Sequence, residues 1–261
     1  MIISVLLLSL TALPSASAVP ATFVANMVEL PSGEVRPLYL TKDSPFTPVA
    51  SFWIDTLPVT NKEFADFVQQ HSAWRAEQIP ALFAEAQYLS HWPAGGPTPQ
   101  QAAQPVTYVS WFAADAYCRA QEKRLPSVSE WEYVAQASEH SANGLNDPEF
   151  TQRILAWYAR PATAELAKVG QGIANFWQVH DMHGLVWEWT QNFNSALVTG
   201  ESRGDSALDQ GLFCGSAASG SADPSDYAAF MRYGFRSSLK APYTLRNLGF
   251  RCAYSPEEIL K

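Results

Sequence analysis

Eleven consecutive residues, His180-Asp181-Met182-His183-Gly184-Leu185-Val186-Trp187-Glu188-Trp189-Thr190, bring together two imidazoles, two carboxylates, two indoles and a glycine. Asp181 to Gly184 read as a bend, and Val186 to Thr190 follow a two-residue period that puts Trp187 and Trp189 on one face and Glu188 on the other. Oxygen donors at Asp181, Gly184, Val186 and Glu188 suit a hard cation such as calcium better than zinc, which prefers nitrogen and sulfur. The same spacing also describes an Asx-type turn before an aromatic strand, with Glu188 simply in solvent. The residues alone leave both readings open.

Other reaction types find little footing. The histidines (His71, His91, His140, His180, His183) fit no HExxH or paired-cysteine pattern, although His180 and His183 flank the bend. There is no G-x-S-x-G elbow and no glycine-rich phosphate loop. Of three cysteines, Cys118 falls on an inward helix stripe and Cys252 on an inward strand face, which makes them the expected disulfide. Cys214 is left in a polar stretch, as a nucleophile, a ligand or a spare thiol, with no base or second sulfur beside it.

Composition narrows the partners. Seventeen basic against twenty-five acidic residues give a net charge of −8 without a Lys/Arg cluster, which argues against nucleic acid and anionic membrane surfaces. An apolar run from Ile2 to Leu13 followed by Ala16-Ser17-Ala18 reads as a secretory signal (residues 1–18), though it lacks the usual preceding basic residues. Export to the periplasm, with no membrane span after cleavage, is therefore expected. An oxidising compartment also favours the disulfide. A hydrophobic content of 47% is ample for a core, and the absence of a repeat or a second composition regime favours one domain over residues 19–261.

The elements that position these groups are legible in part. Met27 to Val35 reads as a strand broken at Pro31-Ser32-Gly33, and Ala50 to Asp55 as another strand. Thr60 with Glu63, and Ser127 with Glu130, are capping boxes that open two helices, and a third helix starts at Ser110. The second of these boxes sets Trp131, Val134 and Ala135 inward. His71 to Gln104 is expected to be irregular with one short helix, while periodicity weakens over Glu139–Gln171 and dissolves over Gln191–Tyr227. Phe250, Cys252 and Tyr254 alternate onto one face of a closing strand.

Taken in order, several stretches resemble the sulfatase-modifying-factor family, whose best-known member is the formylglycine-generating enzyme. They are Met27 to Gly33, Val59-Thr60-Asn61 with Phe64 and Phe67-Val68, Pro105-Val106 through Val109-Ser110-Trp111, and Ala116-Tyr117-Cys118. Lys123 to Ser127 with Glu130-Trp131-Glu132-Tyr133, then Asp181 to Thr190 and Asn247 to Cys252, complete the series. The resemblance covers nearly the whole mature chain. It implies an α+β single domain related to the C-type lectin fold and rich in irregular structure. It also implies a structural calcium on Asp181, Gly184, Val186 and Glu188, and it matches the Cys118–Cys252 bridge to a family disulfide.

The family's active site is where the chain departs. Formylglycine-generating enzymes hold copper between two cysteines a few residues apart; here the second position falls near Ala228 and the first near Ser219 or Asp223. One soft ligand, Cys214, cannot rebuild a two-coordinate thiolate site. The groove candidates are then Trp187, Cys214, Ser216, Arg232 and Arg236, with copper or iron left open as a cofactor. Two functions follow. One is a periplasmic maturation or modification factor for a protein or small-molecule substrate, allied to a copper enzyme such as nitrite reductase and making no formylglycine. The other is a catalytically silent lectin-like binding protein. Ergothioneine-type iron oxygenases are set aside, because they carry an additional histidine-bearing helical domain.

Overall fold

The computed structural model describes residues 26–36, 45–161, 165–194 and 224–256. The signal segment, Cys214 and Ser216 lie outside them.

Among the described residues, short strands near both ends of the chain flank a run of capped helices, around two larger hydrophobic clusters and a smaller third. The first hairpin-like pair is β1 (Met27–Leu30) and β4 (Phe52–Asp55), joined antiparallel with Leu30 opposite Phe52 and Met27 opposite Asp55. β7 (Ala253–Tyr254) pairs with the other edge of β4, which closes a three-stranded sheet in the order β1-β4-β7. β2 (Gly33–Val35) and β3 (Thr47–Val49) form a separate antiparallel pair, as the break at Pro31-Ser32 anticipates.

Each of the three expected helices starts where its cap places it. α1 (Asn61–Gln70) opens on the reciprocal Thr60/Glu63 box and α3 (Val128–Ala135) on the Ser127/Glu130 box, so in each the first free N–H groups are satisfied locally. α2 (Trp111–Ala120) is capped by Ser110 and turns Ala113, Ala114, Tyr117 and Cys118 inward. The region after His71 contains one turn of 3-10 helix at Ser72–Trp74 in otherwise irregular chain, in line with its proline content.

The aromatic face of α1, Phe64 and Phe67, meets Tyr117 of α2 and Phe250 in an edge-to-face and stacked group, with Trp189 and the Cys118–Cys252 disulfide in the same cluster. The bridge closes a separation of 134 residues, which in the chain-entropy picture stabilises the fold by about 4–5 kcal/mol. A second cluster sets α3 against the sheet through Trp131, Val134, Leu30, Phe52 and Ile54.

Three features depart from the sequence reading. α4 (Pro148–Tyr158) occupies part of the stretch where periodicity fades; Asp147 caps it, Pro148 stands at its first turn, and Phe150 and Ile154 form its inner stripe. α5 (Pro224–Ser238) continues well past the polar stretch and packs Ala228 on Phe150 and Ile154. The closing strand does not alternate: Phe250, Arg251, Cys252 and Ala253 are all fully buried, because core lies on both sides of it.

Candidate functional site

The bend at 181–184 is made by backbone conformation and a side-chain hydrogen bond. Asp181 (φ 59°) and Gly184 (φ 103°) both take the left-handed conformation, and Asp181 Oδ2 accepts from the Gly170 amide at 2.6 Å. The chain then enters β5 (Trp187–Glu188), which pairs in parallel with β6 (Leu248–Gly249). Gly249 is required at that contact, since a Cβ there would stand 2.6 Å from the Val106 carbonyl oxygen.

Glu188 is neither solvated nor open to a cation. It is 4% exposed, and Trp131 Nε1 donates to its Oε2 at 2.7 Å. The fully buried Arg251 donates from Nε to Oε2 and from Nη2 to Oε1, each at 2.8 Å. The same guanidinium reaches the Asp55 carbonyl at 3.2 Å and the His180 carbonyl at 2.9 Å, so one side chain ties β4, the turn and β5 together. Calcium takes six to eight oxygens at ~2.3–2.6 Å. Here one of the two expected carboxylates is matched to a guanidinium and the other to an amide, so a dication would sit beside a fixed positive charge. The expected donor set, Asp181, Gly184, Val186 and Glu188, does not fit calcium well, and no role is derived through it.

The groove candidates gather at a second buried cluster. Arg232 and Arg236 stand one turn apart on α5 and converge on Glu132 of α3, a residue sequence reasoning passed over. Arg232 Nη2 lies 2.8 Å and Arg236 Nη1 2.6 Å from the carboxylate, and all three side chains are almost wholly enclosed. Burial alone pushes the Glu132 carboxyl up; the two guanidiniums outweigh this and hold it below the ordinary carboxylate range. Arg236 also lies over the Trp131 ring at 4.7 Å, and Arg232 donates to the Tyr158 hydroxyl at 3.3 Å. Among the described residues, one carboxylate between two guanidiniums leaves a surplus positive charge in this cluster.

Trp187 borders this cluster, yet its indole is sandwiched. Tyr158 stacks on it at 5.3 Å and Phe235 at 4.4 Å, while Trp157 leans in at 5.1 Å. Neither Trp187 nor the two arginines therefore form an open groove wall as expected; they are a packed, aromatic-lined charge cluster. The two indoles also part: Trp189 is fully buried and donates to the Val109 carbonyl, whereas Trp187 keeps partial exposure.

His180 and His183 do not converge on a metal. His180 Nδ1 is 2.9 Å from the Gly172 carbonyl oxygen, and His183 Nε2 is 2.9 Å from that of Ala135. The His183 Nδ1 is shielded and has no partner; burial first, with the nearby Arg232 charge, lowers the ring pKa to about 4. It is a neutral imidazole at physiological pH. Among the described residues no group of three or more His, Cys, Asp or Glu gathers to hold a metal. Ala228, where a catalytic cysteine would be counted, is 3% exposed and faces α4.

Residues 14–256 match the family model for the sulfatase-modifying factor enzyme 1-like domain. The chain belongs to that family. The inactive C-alpha-formylglycine-generating enzyme 2 of Bos taurus is 28% identical, with 87% of each chain aligned. The formylglycine-generating enzyme of Streptomyces coelicolor is 30% identical over 57% of this chain and 52% of its own. Among solved structures, PvdO from Pseudomonas aeruginosa is 20% identical, covers 88% of this chain and 94% of its own, and superposes with a TM-score of 0.47. The α+β architecture is that of a formylglycine-generating-enzyme-like domain, and no helix among the described residues is long and apolar enough to cross a membrane.

Proposed function

We propose that this member of the sulfatase-modifying-factor family is an exported, periplasmic maturation or modification factor that acts on a protein or small-molecule substrate and makes no formylglycine. One observation carries the negative half. The chain has three cysteines, and Cys118 and Cys252 are joined, so a single thiol remains where a bis-thiolate copper site needs two. The position counted for the second thiol is Ala228, buried against α4.

A catalytically silent, lectin-like binding protein is the second reading, and the likeness to a relative named inactive along 87% of both chains favours it. Purified protein offered a Cys-x-Pro-x-Arg peptide under air, with and without copper, is expected to leave the cysteine unoxidised by mass spectrometry. Conversion to the aldehyde overturns the proposal. Metal content separates the two readings: stoichiometric copper or iron supports the modification factor, and its absence supports binding alone. A link to a copper enzyme such as nitrite reductase is the finer part of the proposal; co-purification of that enzyme with the tagged protein from its native cells tests it.

A further inference from the structure

A cavity of about 460 Å³ is lined by α4 and by the Asp181–Gly184 turn. Trp187, Arg232 and Arg236 are not part of its wall. Its volume is in the range of small-molecule sites, ~300–1,000 Å³. Phe150, Ile154 and Trp157 of α4, with Met182 and Leu185 in and after the turn, make most of its lining surface apolar, beside the polar Gln171, Asn175 and His183. Ile173, 78% exposed, extends the apolar surface at the rim.

The charges around this cavity run against the rest of the chain. Arg153, Arg160 and Lys168 line it, with Glu139 and Asp181 as the acids. Both acids are engaged: Glu139 pairs with Arg153 at 2.5 Å, and Asp181 accepts from the Gly170 amide. Arg160 and Lys168 are exposed and have no ion-pair partner among the described residues. A protein of net charge −8 thus carries a locally positive mouth over an apolar pocket.

We infer that this cavity binds a small organic carboxylate, with its apolar body between α4 and the turn and its anionic head at Arg160 and Lys168. Pairing an apolar interior with unneutralised cations at the entrance selects an amphipathic anion over a neutral or cationic molecule of the same size. Because the turn that forms one wall leads directly into Trp187, a bound molecule touches the segment that supports the charge cluster.

The test uses the full-length protein and 8-anilinonaphthalene-1-sulfonate as a fluorescent aromatic anion, displaced by decanoate. Saturable binding is expected, with decanoate competing at least fivefold better than decyltrimethylammonium or decanol. The Arg160→Glu/Lys168→Glu double variant is expected to bind the probe at least fivefold more weakly. A matched variant, Lys62→Glu/Arg119→Glu, makes the same charge change at exposed positions outside the cavity and is expected to shift binding less than twofold. Absence of saturable binding, equal competition by the cationic detergent, or equal weakening in both double variants overturns the inference. Thermal melting of every variant guards against misfolding, and should the glutamates unfold the chain, Arg160→Gln/Lys168→Gln replaces them with the same expected direction.

Discussion

Two buried carboxylates in this protein meet arginine in different ways. Glu188 faces one guanidinium, Arg251, and the pair is neutral and completely enclosed. Glu132 faces two, Arg232 and Arg236, and the cluster keeps a positive charge beside a stack of Tyr158, Trp187 and Phe235. Taking ions out of water is costly, and a one-to-one pair with every oxygen matched recovers most of that cost. A second guanidinium on a satisfied carboxylate recovers less. The first arrangement is what a scaffold needs; the second keeps charge in reserve, which a site that meets an anion or steers a titrating neighbour can use.

The comparison breaks most visibly at Arg251. Arg251→Ala strands the Glu188 carboxylate, unties the Asp55 and His180 carbonyls, and is expected to destabilise the protein by about 3–5 kcal/mol in urea denaturation. A loss under about 1 kcal/mol would mean that water reaches Glu188 and that the pair is not sealed.

The charged cluster makes a second mark, on pH. His183 takes a pKa of about 4 in the fold, against 6.5 for the free side chain, and the Arg232 charge adds to the effect of burial. The unfolded chain therefore takes up the proton first as pH falls. The contribution is complete above about pH 6.5, declines toward pH 4 and is flat below, with a total of about 3 kcal/mol. His91, also lowered to about 4 by burial, acts in the same direction. His183→Gln is expected to flatten the fall between pH 6.5 and 4 by roughly half, read as unfolding free energy at each pH. An unchanged slope would mean that His183 contributes nothing, leaving His91 and the lowered Glu132 carboxyl behind the acid sensitivity.

A smaller effect sharpens the contrast. Arg236→Gln leaves Glu132 paired with Arg232, turning the cluster into a neutral pair like the first, and is expected to cost about 1–2 kcal/mol, well under Arg251→Ala. If the two substitutions cost the same, the surplus charge is as integral to folding as the neutral pair is.

The scaffold was more legible than the site. Thr60/Glu63 and Ser127/Glu130 announce their helices because capping is a local chemistry written in adjacent residues. Cys118 and Cys252 could be matched because each reads as an inward position, Cys118 on a helix stripe and Cys252 in a closing segment that is in fact buried on both sides. Glu132 could not be found that way: on α3 it reads as a solvent residue beside Trp131, and its burial depends on two arginines about a hundred residues later. The clue was the spacing of Arg232 and Arg236, one helical turn apart in a chain poor in basic residues, but it speaks only once 224–238 is read as helix. α4 left a fairer signal in Asp147-Pro148 followed by Phe150 and Ile154, a cap, a first-turn proline and an i,i+4 stripe. Glu188 shows the opposite failure, since the oxygen spacing around it points to a cation and the partner present is an arginine distant in sequence.

The smallest expected effect concerns that cation. If a calcium ion of micromolar affinity sat on Asp181, Gly184, Val186 and Glu188, adding it at a thousandfold excess would stabilise the fold by about 4 kcal/mol. At about 2–4 °C per kcal/mol for a chain of this length, melting temperatures with millimolar calcium and with a chelator would differ by roughly 8–16 °C. The geometry leads to a shift of under about 2 °C, because Arg251 already neutralises Glu188 and the Gly170 amide already holds Asp181. The same pair of melts on Arg251→Met distinguishes competition from incapacity. With the guanidinium gone, a calcium shift that appears only in the variant means the turn can bind the ion and the arginine stands in its place; no shift in either means that the turn's oxygens are too few.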